Sequence, residues 1–365
     1  MIVKSLSFEN FRNLKNNTVF PCDGVNVIYG ENAQGKTNLL EAVWLFCGGH
    51  SFRSSKENEM IRFEKDFFRL KMEFFSQDRE QNAEICFFQN KRTIKINSVE
   101  KNTSAYLTEK FSSVVFSPEH LTLIKRGPQI RRRFIDGAVC QQNIRYASIL
   151  SKYQQILNQR NALLKDISRH RELLDVLAIW EDSLAETGAI IIKERMSYLK
   201  NILEYAESFH EGISYGKEKL DIRYVSTCGA QEEDSREALK EKLLMALQKL
   251  REEDIRFGNT SCGPHRDDMD IMINQLSCRR FSSQGQQRSA VLSLKLSEAS
   301  LLYEKRGERP VILLDDVLSE LDVKRQDYLL NRIGGYQVFV TCCEESNKEQ
   351  LKNGKVFYVD NGEIT

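Results

Sequence analysis

Residues 25–40 constrain the fold more than any other stretch, because they read as an apolar strand, a glycine-bounded loop and the start of a helix. The loop, residues 30–37, has the form G-x-x-x-x-G-K-[ST]. Its glycines allow successive backbone N–H groups to turn toward an anion, and the helix N-terminus adds partial positive charge. Lys36 is expected to reach the β- and γ-phosphates of a nucleotide, and the Thr37 hydroxyl to hold Mg²⁺. The sequence therefore predicts a phosphate-binding loop, the P-loop.

A helix is predicted over residues 36–47, since its apolar residues recur at helical spacing and the glycine pair 48–49 favours a helix end. Arg12 lies in a polar turn after the first predicted strand. Its guanidinium could reach the same nucleotide or be an ordinary surface charge. The predicted nucleotide-binding residues are Gly30, Glu31, Asn32, Ala33, Gln34, Gly35, Lys36, Thr37, Asn38 and Arg12.

Length and composition limit the class of protein. At 365 residues the chain exceeds one usual hydrophobic core, so two domains, or one domain with a large insertion, are expected. The 53 basic and 52 acidic residues give a net charge of +1, so a nucleic-acid surface must be a local patch. No apolar run approaches the ~20 residues of a membrane span, which predicts a cytoplasmic protein. The nine cysteines contain no C-x-x-C pair and are expected to be small buried apolar residues.

The predicted secondary structure changes from mainly strands to mainly helices along the chain. Before residue 120, strands are predicted over residues 2–8, 67–75, 83–88, 93–97 and 113–116, with a turn at Pro118. Helices are predicted over residues 144–167 and 172–210, the second broken near Gly188, followed by a strand over 220–224 and a helix through 239–250. The apolar positions hold no strict heptad, so this helical insertion is not expected to form a long coiled coil.

Two groups within and after the insertion allow more than one interpretation. The basic cluster Arg126 and residues 131–133 could contact DNA phosphates, or could be buried arginines that bridge helices. His265 lies in a polar turn before the strand with alternating Met269, Ile271 and Ile273. Because no His, Cys or Asp set has zinc-site spacing, His265 is expected to form hydrogen bonds rather than to bind a metal.

Residues 310–316 read as an apolar strand that ends in two carboxylates. A buried parallel strand would place both at its C-terminal edge, beside the P-loop of an adjacent strand. Asp315 would then hold Mg²⁺, directly or through water, and Asp316 would orient or deprotonate the attacking water. Lys36 and Asp316 are therefore the predicted catalytic residues. Residues 337–340 predict another buried strand, which ends at Thr341.

A second candidate anion site precedes a helix predicted over residues 289–305. A hydroxyl and backbone N–H groups at a helix start attract an anion, although Ser and Gly are also ordinary caps. This signature segment consists of Ser283, Gln284, Gly285 and Gln286, and the loop after the acidic strand, called the D-loop, consists of Ser319, Glu320, Leu321 and Asp322. P-loop, signature segment, acidic strand and D-loop, in that order, are the layout of ABC-type ATPase heads.

These motifs resemble those of the RecF family of SMC/Rad50-like ATPases, and the resemblance runs nearly end to end. The residues that carry it are 11–13, 30–42, 51–53, 116–119, 132–136, 160–165, Trp180, 184–185, Gly188, 263–268, 283–288 and 313–322. The matches inside the helical insertion are the specific ones, because a generic ABC head lacks them. The resemblance implies an α/β fold: an ABC-type head with a mixed sheet and a β-subdomain (residues 1–120 and 256–365) and an inserted α-helical arm (residues 121–255).

The resemblance implies an ATP-gated clamp. Two heads would dimerise face to face, so that the P-loop of one meets the signature segment of the other across the γ-phosphate. The homodimer would bind double-stranded DNA, favour junctions of single- and double-stranded DNA at gaps, and with RecO and RecR promote RecA loading. That activity would serve replication restart and SOS induction. As a weak DNA-dependent ATPase acting as a switch, the protein would release DNA on slow hydrolysis.

Three positions depart from the general ABC pattern. Asp316 stands where glutamate is usual, which fits RecF, and its shorter side chain suits slow turnover. Thr341 stands where many ABC proteins have a switch histidine, and residues 117–119 lack the glutamine of an ABC glutamine loop. Two alternatives share the head motifs. A transporter ATP-binding cassette would have a smaller helical subdomain, and an ATP-dependent nuclease would need a further carboxylate cluster after the acidic strand.

Overall fold

The structure, a computed structural model, describes residues 1–48, 51–52, 56–167, 170–343 and 354–365. The chain divides into two compact units. The head unit comprises Met1–Thr122, Gly212–Tyr215 and Arg288–Thr365, and the arm unit comprises Leu123–Glu211 and Gly216–Gln287.

The strands of the described residues follow in chain order. They are β1 (Ile2–Glu9), β2 (Asn17–Val19), β3 (Val25–Tyr29), β4 (Phe67–Ser76), β5 (Arg79–Phe88), β6 (Lys91–Ile96), β7 (Val99–Lys101), β8 (Ser113–Phe116), β9 (Leu220–Val225), β10 (Asp268–Ile273), β11 (Leu276–Ser277), β12 (Val311–Leu314), β13 (Val338–Cys342), β14 (Lys355–Asp360) and β15 (Glu363–Ile364).

The helices are α1 (Lys36–Leu45), α2 (Ala105–Lys110), α3 (Pro118–Leu121), α4 (Pro128–Gln142), α5 (Ile144–Ile167), α6 (Leu174–Ser214), α7 (Arg236–Lys249), α8 (Arg251–Phe257), α9 (Cys278–Phe281), α10 (Gln284–Arg306) and α11 (Val323–Arg332). Short 3-10 helices span Glu57–Met60, Arg171–Leu173 and Leu318–Glu320. Within the described parts of the chain, no helix combines the length and hydropathy needed to cross a lipid bilayer.

The head unit contains two six-stranded sheets. The first has the order β2-β1-β4-β5-β6-β7, and every neighbouring pair is antiparallel. The second has the order β15-β14-β3-β13-β12-β8 and is parallel except for the pair β14–β15. Such buried parallel strands end at one common edge, where loops carry functional side chains. The predicted mixed sheet with a β-subdomain is confirmed.

Helix α1 belongs to the core that both head sheets share. Leu39, Leu40 and Val43 of this helix are buried with residues of the antiparallel sheet. The helix begins at Lys36, as predicted, but ends at Leu45 rather than at residue 47. Gly48 has a φ of 73°, and a side chain there would meet the hydroxyl of Thr108, so this position after the helix requires glycine. Two residues named in the sequence predictions lie outside the described residues. They are Gly49, at the predicted helix end, and Arg53.

The arm unit combines helices with a small antiparallel sheet in the order β11-β10-β9. Strand β10 pairs with β9 along its whole length, from Asp268 opposite Val225 to Ile273 opposite Leu220. Residues 256–287, which include β10, belong to the arm unit. The sequence analysis predicted them as part of the head. The predicted helix over residues 144–167 is confirmed as α5.

Two local predictions, one in each unit, were wrong. Helix α6 runs without a break through Gly188. A side chain at that position would come within 2.5 Å of Leu243 and 3.3 Å of Tyr153, so Gly188 permits close helix packing and does not end the helix. Pro118 does not form a simple turn but occupies the first turn of helix α3, where proline is tolerated, with Ser117 as its cap.

A buried ionic cluster ties three arm helices together. The guanidinium of Arg160 on α5 donates to Glu181 on α6 at 2.9 Å and to Asp254 on α8 at 2.8 Å, and all three side chains have 0% exposure. Arg251 donates to the second oxygen of Glu181 at 2.5 Å. Because every charge has an opposite partner, the cluster is compatible with burial, and loss of one member would leave an uncompensated charge.

Candidate functional site

The P-loop connects β3 to α1 and folds back over its own lysine. The Lys36 Nζ donates to the carbonyl of Gly30 at 2.6 Å and to that of Glu31 at 2.8 Å. Ala33 and Gly35 have φ angles of 66° and 122°, a left-handed backbone that curls the loop around the ammonium group. This local conformation follows from the glycine-rich motif, and it places the Lys36 charge at the loop's centre.

The polar turn after β1 supports the P-loop. The amide of Asn13 donates to the carbonyls of Ala33 at 3.3 Å and Gln34 at 3.1 Å. Its carbonyl oxygen accepts a 2.7 Å hydrogen bond from the amide of Asn38 on α1. Asn13 therefore joins the turn, the loop and the helix, a support that the motif alone did not indicate.

Arg12, predicted to bind the nucleotide, forms a bidentate ion pair with Glu41 of α1. Its Nε and Nη2 each lie 2.9 Å from a Glu41 carboxylate oxygen, and its Nη1 donates to the carbonyl of Glu59 at 2.7 Å. The Glu41 side chain has 0% exposure, so it requires this cation. A direct contact between Arg12 and a nucleotide stays a prediction.

Asp315 lies at the C-terminal end of β12 and meets the P-loop helix. The Thr37 hydroxyl donates to its Oδ1 at 2.7 Å. The strand of the P-loop is not adjacent to β12, contrary to the sequence prediction, because β13 lies between them. Thr341 of that central strand donates to the same Asp315 oxygen at 3.2 Å. The two predicted metal-binding residues are thus brought together across the intervening strand.

Asp316 has a left-handed backbone with a φ of 52°. Its N–H donates to the Thr341 hydroxyl at 2.8 Å, and its carbonyl accepts a 2.8 Å hydrogen bond from the Ser319 hydroxyl. Asp is among the few residues that tolerate this conformation. The two hydroxyls therefore hold the residue that was predicted to act on the attacking water.

The Thr37 and Asp315 pair suits Mg²⁺. Hydroxyl and carboxylate oxygens are the hard ligands that this ion prefers, and a magnesium site in a P-loop protein takes its other ligands from water and substrate phosphates. Because the Thr37 hydroxyl gives its proton to Asp315, its oxygen lone pairs can face a cation. Among the described residues, no group of three or more His, Cys, Asp or Glu could hold a metal ion.

The signature segment forms the start of α10, which begins at Gln284 rather than at the predicted residue 289. The reason is a reciprocal cap: the Gln286 N–H donates to the Ser283 hydroxyl at 3.2 Å, and the Ser283 N–H donates to the Gln286 side chain at 2.8 Å. The Gln286 amide also donates to Glu218 at 2.9 Å. The start of α10 is thus capped by its own side chains, and anion binding at this helix N-terminus stays a prediction.

The D-loop is held by side chains of two helices. Arg288 of α10 donates to the Glu320 carbonyl at 2.6 Å and to its carboxylate at 2.7 Å. Asp322 caps α11 by accepting from the Arg325 N–H at 3.1 Å. Gln326 donates to the Leu321 carbonyl at 3.0 Å. All four D-loop residues, Ser319, Glu320, Leu321 and Asp322, therefore make hydrogen bonds within the head unit.

Two arginines of the arm's basic cluster form contacts within the arm unit. Arg131 is 3% exposed and forms a bidentate pair with Asp268 at 2.6 and 2.8 Å. Arg132 donates to the carbonyl of Asp267 at 2.7 Å. Arg131 is buried, as one interpretation expected, but it joins α4 to the start of β10 and not to another helix. Arg132 is half-buried and Arg133 is exposed.

His265 is a hydrogen-bonding residue, as predicted. Its Nδ1 lies 2.7 Å from the Tyr153 hydroxyl and its Nε2 lies 3.1 Å from the Thr260 carbonyl. Burial lowers the pKa of His265 to about 4, so the ring is neutral near pH 7.

The expectation that the cysteines are buried apolar residues holds for four of the nine, and Cys343 is among the five that are half-buried. It is partly exposed, its Sγ lies 3.1 Å from the Lys36 Nζ, and its thiol donates to the Asn32 side chain at 3.0 Å. No local sequence signal indicated this contact, because Cys343 reaches the P-loop only through the parallel pairing of β13 with β3.

Comparison with known proteins gives a consistent relationship. A family model described as the RecF/RecN/SMC N terminal domain matches residues 2–365. A DNA replication and repair protein RecF of Thermoanaerobacter sp. (strain X514) is 40% identical over 365 residues, which cover 100% of this chain and 99% of that protein. The chain belongs to the RecF family. A RecF of Clostridium perfringens (strain SM101 / Type A) is 38% identical over 368 residues, with 100% and 99% of the two chains covered.

Solved structures agree with membership of the RecF family. One described as the recombination mediator protein RecF-ATP in the RecFOR pathway has a TM-score of 0.93 and 39% identity, and covers 100% of this chain and 97% of that chain. An Smc head domain with an extended coiled coil, from Pyrococcus furiosus, has a TM-score of 0.55 at 15% identity, covers 100% of this chain and 95% of that chain, and shares the fold. RecF membership identifies the head as that of an SMC-type ABC ATPase and gives no support to the transporter and nuclease alternatives.

Proposed function

We propose that this RecF-family chain is an ATP-dependent DNA-binding clamp of recombinational repair. The observation that carries the proposal is the 2.7 Å hydrogen bond from Thr37 to Asp315, which joins the P-loop to the acidic strand. A triphosphate in the P-loop would bring its charge to Lys36, and Mg²⁺ would bridge it to this pair. Asp316, the next residue, would act on the attacking water.

The site is proposed to be completed by a second copy of the chain. The signature segment offers a helix N-terminus and the Ser283 hydroxyl, groups that stabilise the negative charge of a γ-phosphate. In the proposed homodimer, this segment of one subunit lies against the triphosphate in the P-loop of the other. ATP would then be the bridge that closes the dimer, and its hydrolysis would open the dimer.

The proposed ligand of the closed dimer is double-stranded DNA, with preference for junctions of single- and double-stranded DNA at gaps. Support comes from relatives described as DNA replication and repair proteins and as a recombination mediator in the RecFOR pathway. We extend this to RecR as direct partner, with RecO, and to RecA loading in the cytoplasm, in replication restart and SOS induction. The short side chain of Asp316 favours slow, switch-like hydrolysis over rapid turnover.

Size-exclusion chromatography and gel-shift assays on gapped DNA, with and without ATP and Mg²⁺, test the clamp. Lys36→Met removes the phosphate-binding charge, and Ser283→Arg places a bulky cation at the signature segment. Both variants should lose ATP-dependent dimerisation and ATP-dependent retention of DNA. Lys4→Met is the matched control, because Lys4 forms only an exposed pair with Asp23 and should behave as wild type.

Asp316→Asn separates binding from hydrolysis. The amide keeps the shape but removes the basic oxygen, so ATP should remain bound and the lifetimes of the dimer and of its DNA complex should lengthen. Faster DNA release by Asp316→Asn, or unaltered dimerisation by Lys36→Met, would contradict the proposed clamp.

A further inference from the structure

One buried hydroxyl links the two acidic residues at the end of β12. Thr341 is 1% exposed and lies on β13, the strand between the P-loop strand β3 and β12. Its oxygen accepts from the Asp316 N–H at 2.8 Å, and its proton goes to Asp315 Oδ1 at 3.2 Å. The same Asp315 oxygen accepts from Thr37. The Thr341 hydroxyl thus uses both its acceptor and its donor capacity on neighbouring carboxylate residues.

This link fixes the backbone from which the Asp316 side chain projects. A left-handed Asp costs free energy that surrounding contacts must supply. The Thr341 hydroxyl holds the N–H of Asp316, and the Ser319 hydroxyl holds its carbonyl. Valine has nearly the shape of threonine and would suit a buried strand equally well, but it would leave the Asp316 N–H without this acceptor.

We propose that Thr341 is a positioning residue for ATP hydrolysis. Its hydroxyl fixes the Asp316 backbone, and the Ser319 hydroxyl donates to the Asp316 Oδ1 at 3.2 Å. The carboxylate therefore keeps a constant direction relative to Asp315. The inference rests on the proposed function, in which Asp316 acts on the attacking water. In this role Thr341 acts through Asp316, whose N–H donates to its hydroxyl, and not by contact with the water or the nucleotide.

Substitution of Thr341 tests the proposal with two readouts, the equilibrium binding of ATP and the single-turnover rate of hydrolysis. Thr341→Val and Thr341→Ala both remove the hydroxyl, and Thr341→Ser retains it. Both hydroxyl-less variants should bind ATP within about twofold of wild type but hydrolyse it about tenfold more slowly, whereas Thr341→Ser should stay close to wild type. Melting temperatures measured alongside identify any variant that does not fold, and Thr341→Ala then serves in place of Thr341→Val.

A double-mutant cycle provides a readout that a merely structural residue would not change. In an Asp316→Asn background the carboxylate is already lost, so adding Thr341→Val should slow hydrolysis by far less than tenfold. The proposal is overturned if a folded hydroxyl-less variant hydrolyses ATP at the wild-type rate, or if Thr341→Ser slows as much as Thr341→Val. Wild-type protein that hydrolyses no faster than Lys36→Met would instead overturn the proposed function on which this inference rests.

Discussion

The hydroxyl of Thr37 donates a 2.7 Å hydrogen bond to Oδ1 of Asp315, a residue 278 positions later in the chain. Thr37 stands at the start of α1 and Asp315 directly follows β12, with β13 between their strands. Parallel pairing brings the C-terminal ends of these strands to one edge of the sheet. The candidate site therefore depends on the order of strands in the sheet as much as on the P-loop motif.

Asp315→Ala is expected to lower the rate of ATP hydrolysis about 100-fold, because it removes the carboxylate that would hold Mg²⁺ beside Thr37. ATPase assays over a range of Mg²⁺ concentrations provide the measurement. Asp23→Ala, which affects only an exposed pair with Lys4, is the control and should leave the rate unchanged. An Asp315→Ala protein with the wild-type rate would exclude this residue from the metal site.

Arg12→Ala should lower the free energy of unfolding by about 3 kcal/mol, because it leaves the fully buried Glu41 carboxylate without its cation. Addition of Glu41→Gln should restore part of the loss, since the buried group is then neutral. Arg69→Ala, which breaks partly exposed pairs with Glu9 and Glu84, should change the value by less than about 1 kcal/mol. The free energies of unfolding are measured with denaturant. Equal losses for Arg12→Ala and Arg69→Ala would contradict the argument that burial of the Arg12–Glu41 pair makes it important.

Gly188→Ala should destabilise the arm by about 1–2 kcal/mol despite the higher helix propensity of alanine, because its side chain would press on buried Leu243 and Tyr153. Gly137→Ala is the matched control, since that helix position has open space around it. There alanine should stabilise by about 0.5–1 kcal/mol. Thermal unfolding of the two variants should move in opposite directions, and a stabilising Gly188→Ala would show that the helices are less closely packed.

The sequence predicts what is encoded locally. The P-loop, α5 and β8 follow from glycine spacing, apolar periodicity and a short apolar run, and α5 and β8 have their predicted bounds. The continuity of α6 at Gly188 is not predictable in this way, because the cause is a contact with Leu243 on another helix.

The same limit applies to the candidate site. The residue types at Lys36, Thr37, Asp315 and Asp316 are readable from motifs. The hydroxyl of Thr341 and the thiol of Cys343 enter the site only because β13 pairs with both β3 and β12, and no local pattern gives that order of strands. The ion pair of Arg12 with Glu41 likewise depends on the packing of a turn against α1.

The pH dependence of stability should include a contribution from His265. Burial lowers its folded-state pKa from 6.5 to about 4, so between these pH values the unfolded chain binds more protons than the folded chain. Its contribution to the free energy of unfolding is therefore complete above pH 6.5 and is lost as the pH falls toward 4. Between pH 4 and 6.5, the free energy of unfolding should depend less steeply on pH for His265→Asn than for the wild type. An equal slope for the two proteins would contradict a lowered pKa of His265.

The most direct test of the clamp is the ATPase activity of two defective variants, measured separately and after mixing. Lys36→Met has a damaged P-loop and an intact signature segment. Ser283→Arg has an intact P-loop and a damaged signature segment. If each site is formed by two subunits, both variants are inactive alone, and their mixture recovers part of the wild-type rate because every mixed dimer contains one intact site. If the mixture is no more active than its components, or if Ser283→Arg alone hydrolyses ATP at the wild-type rate, the site is not shared between subunits.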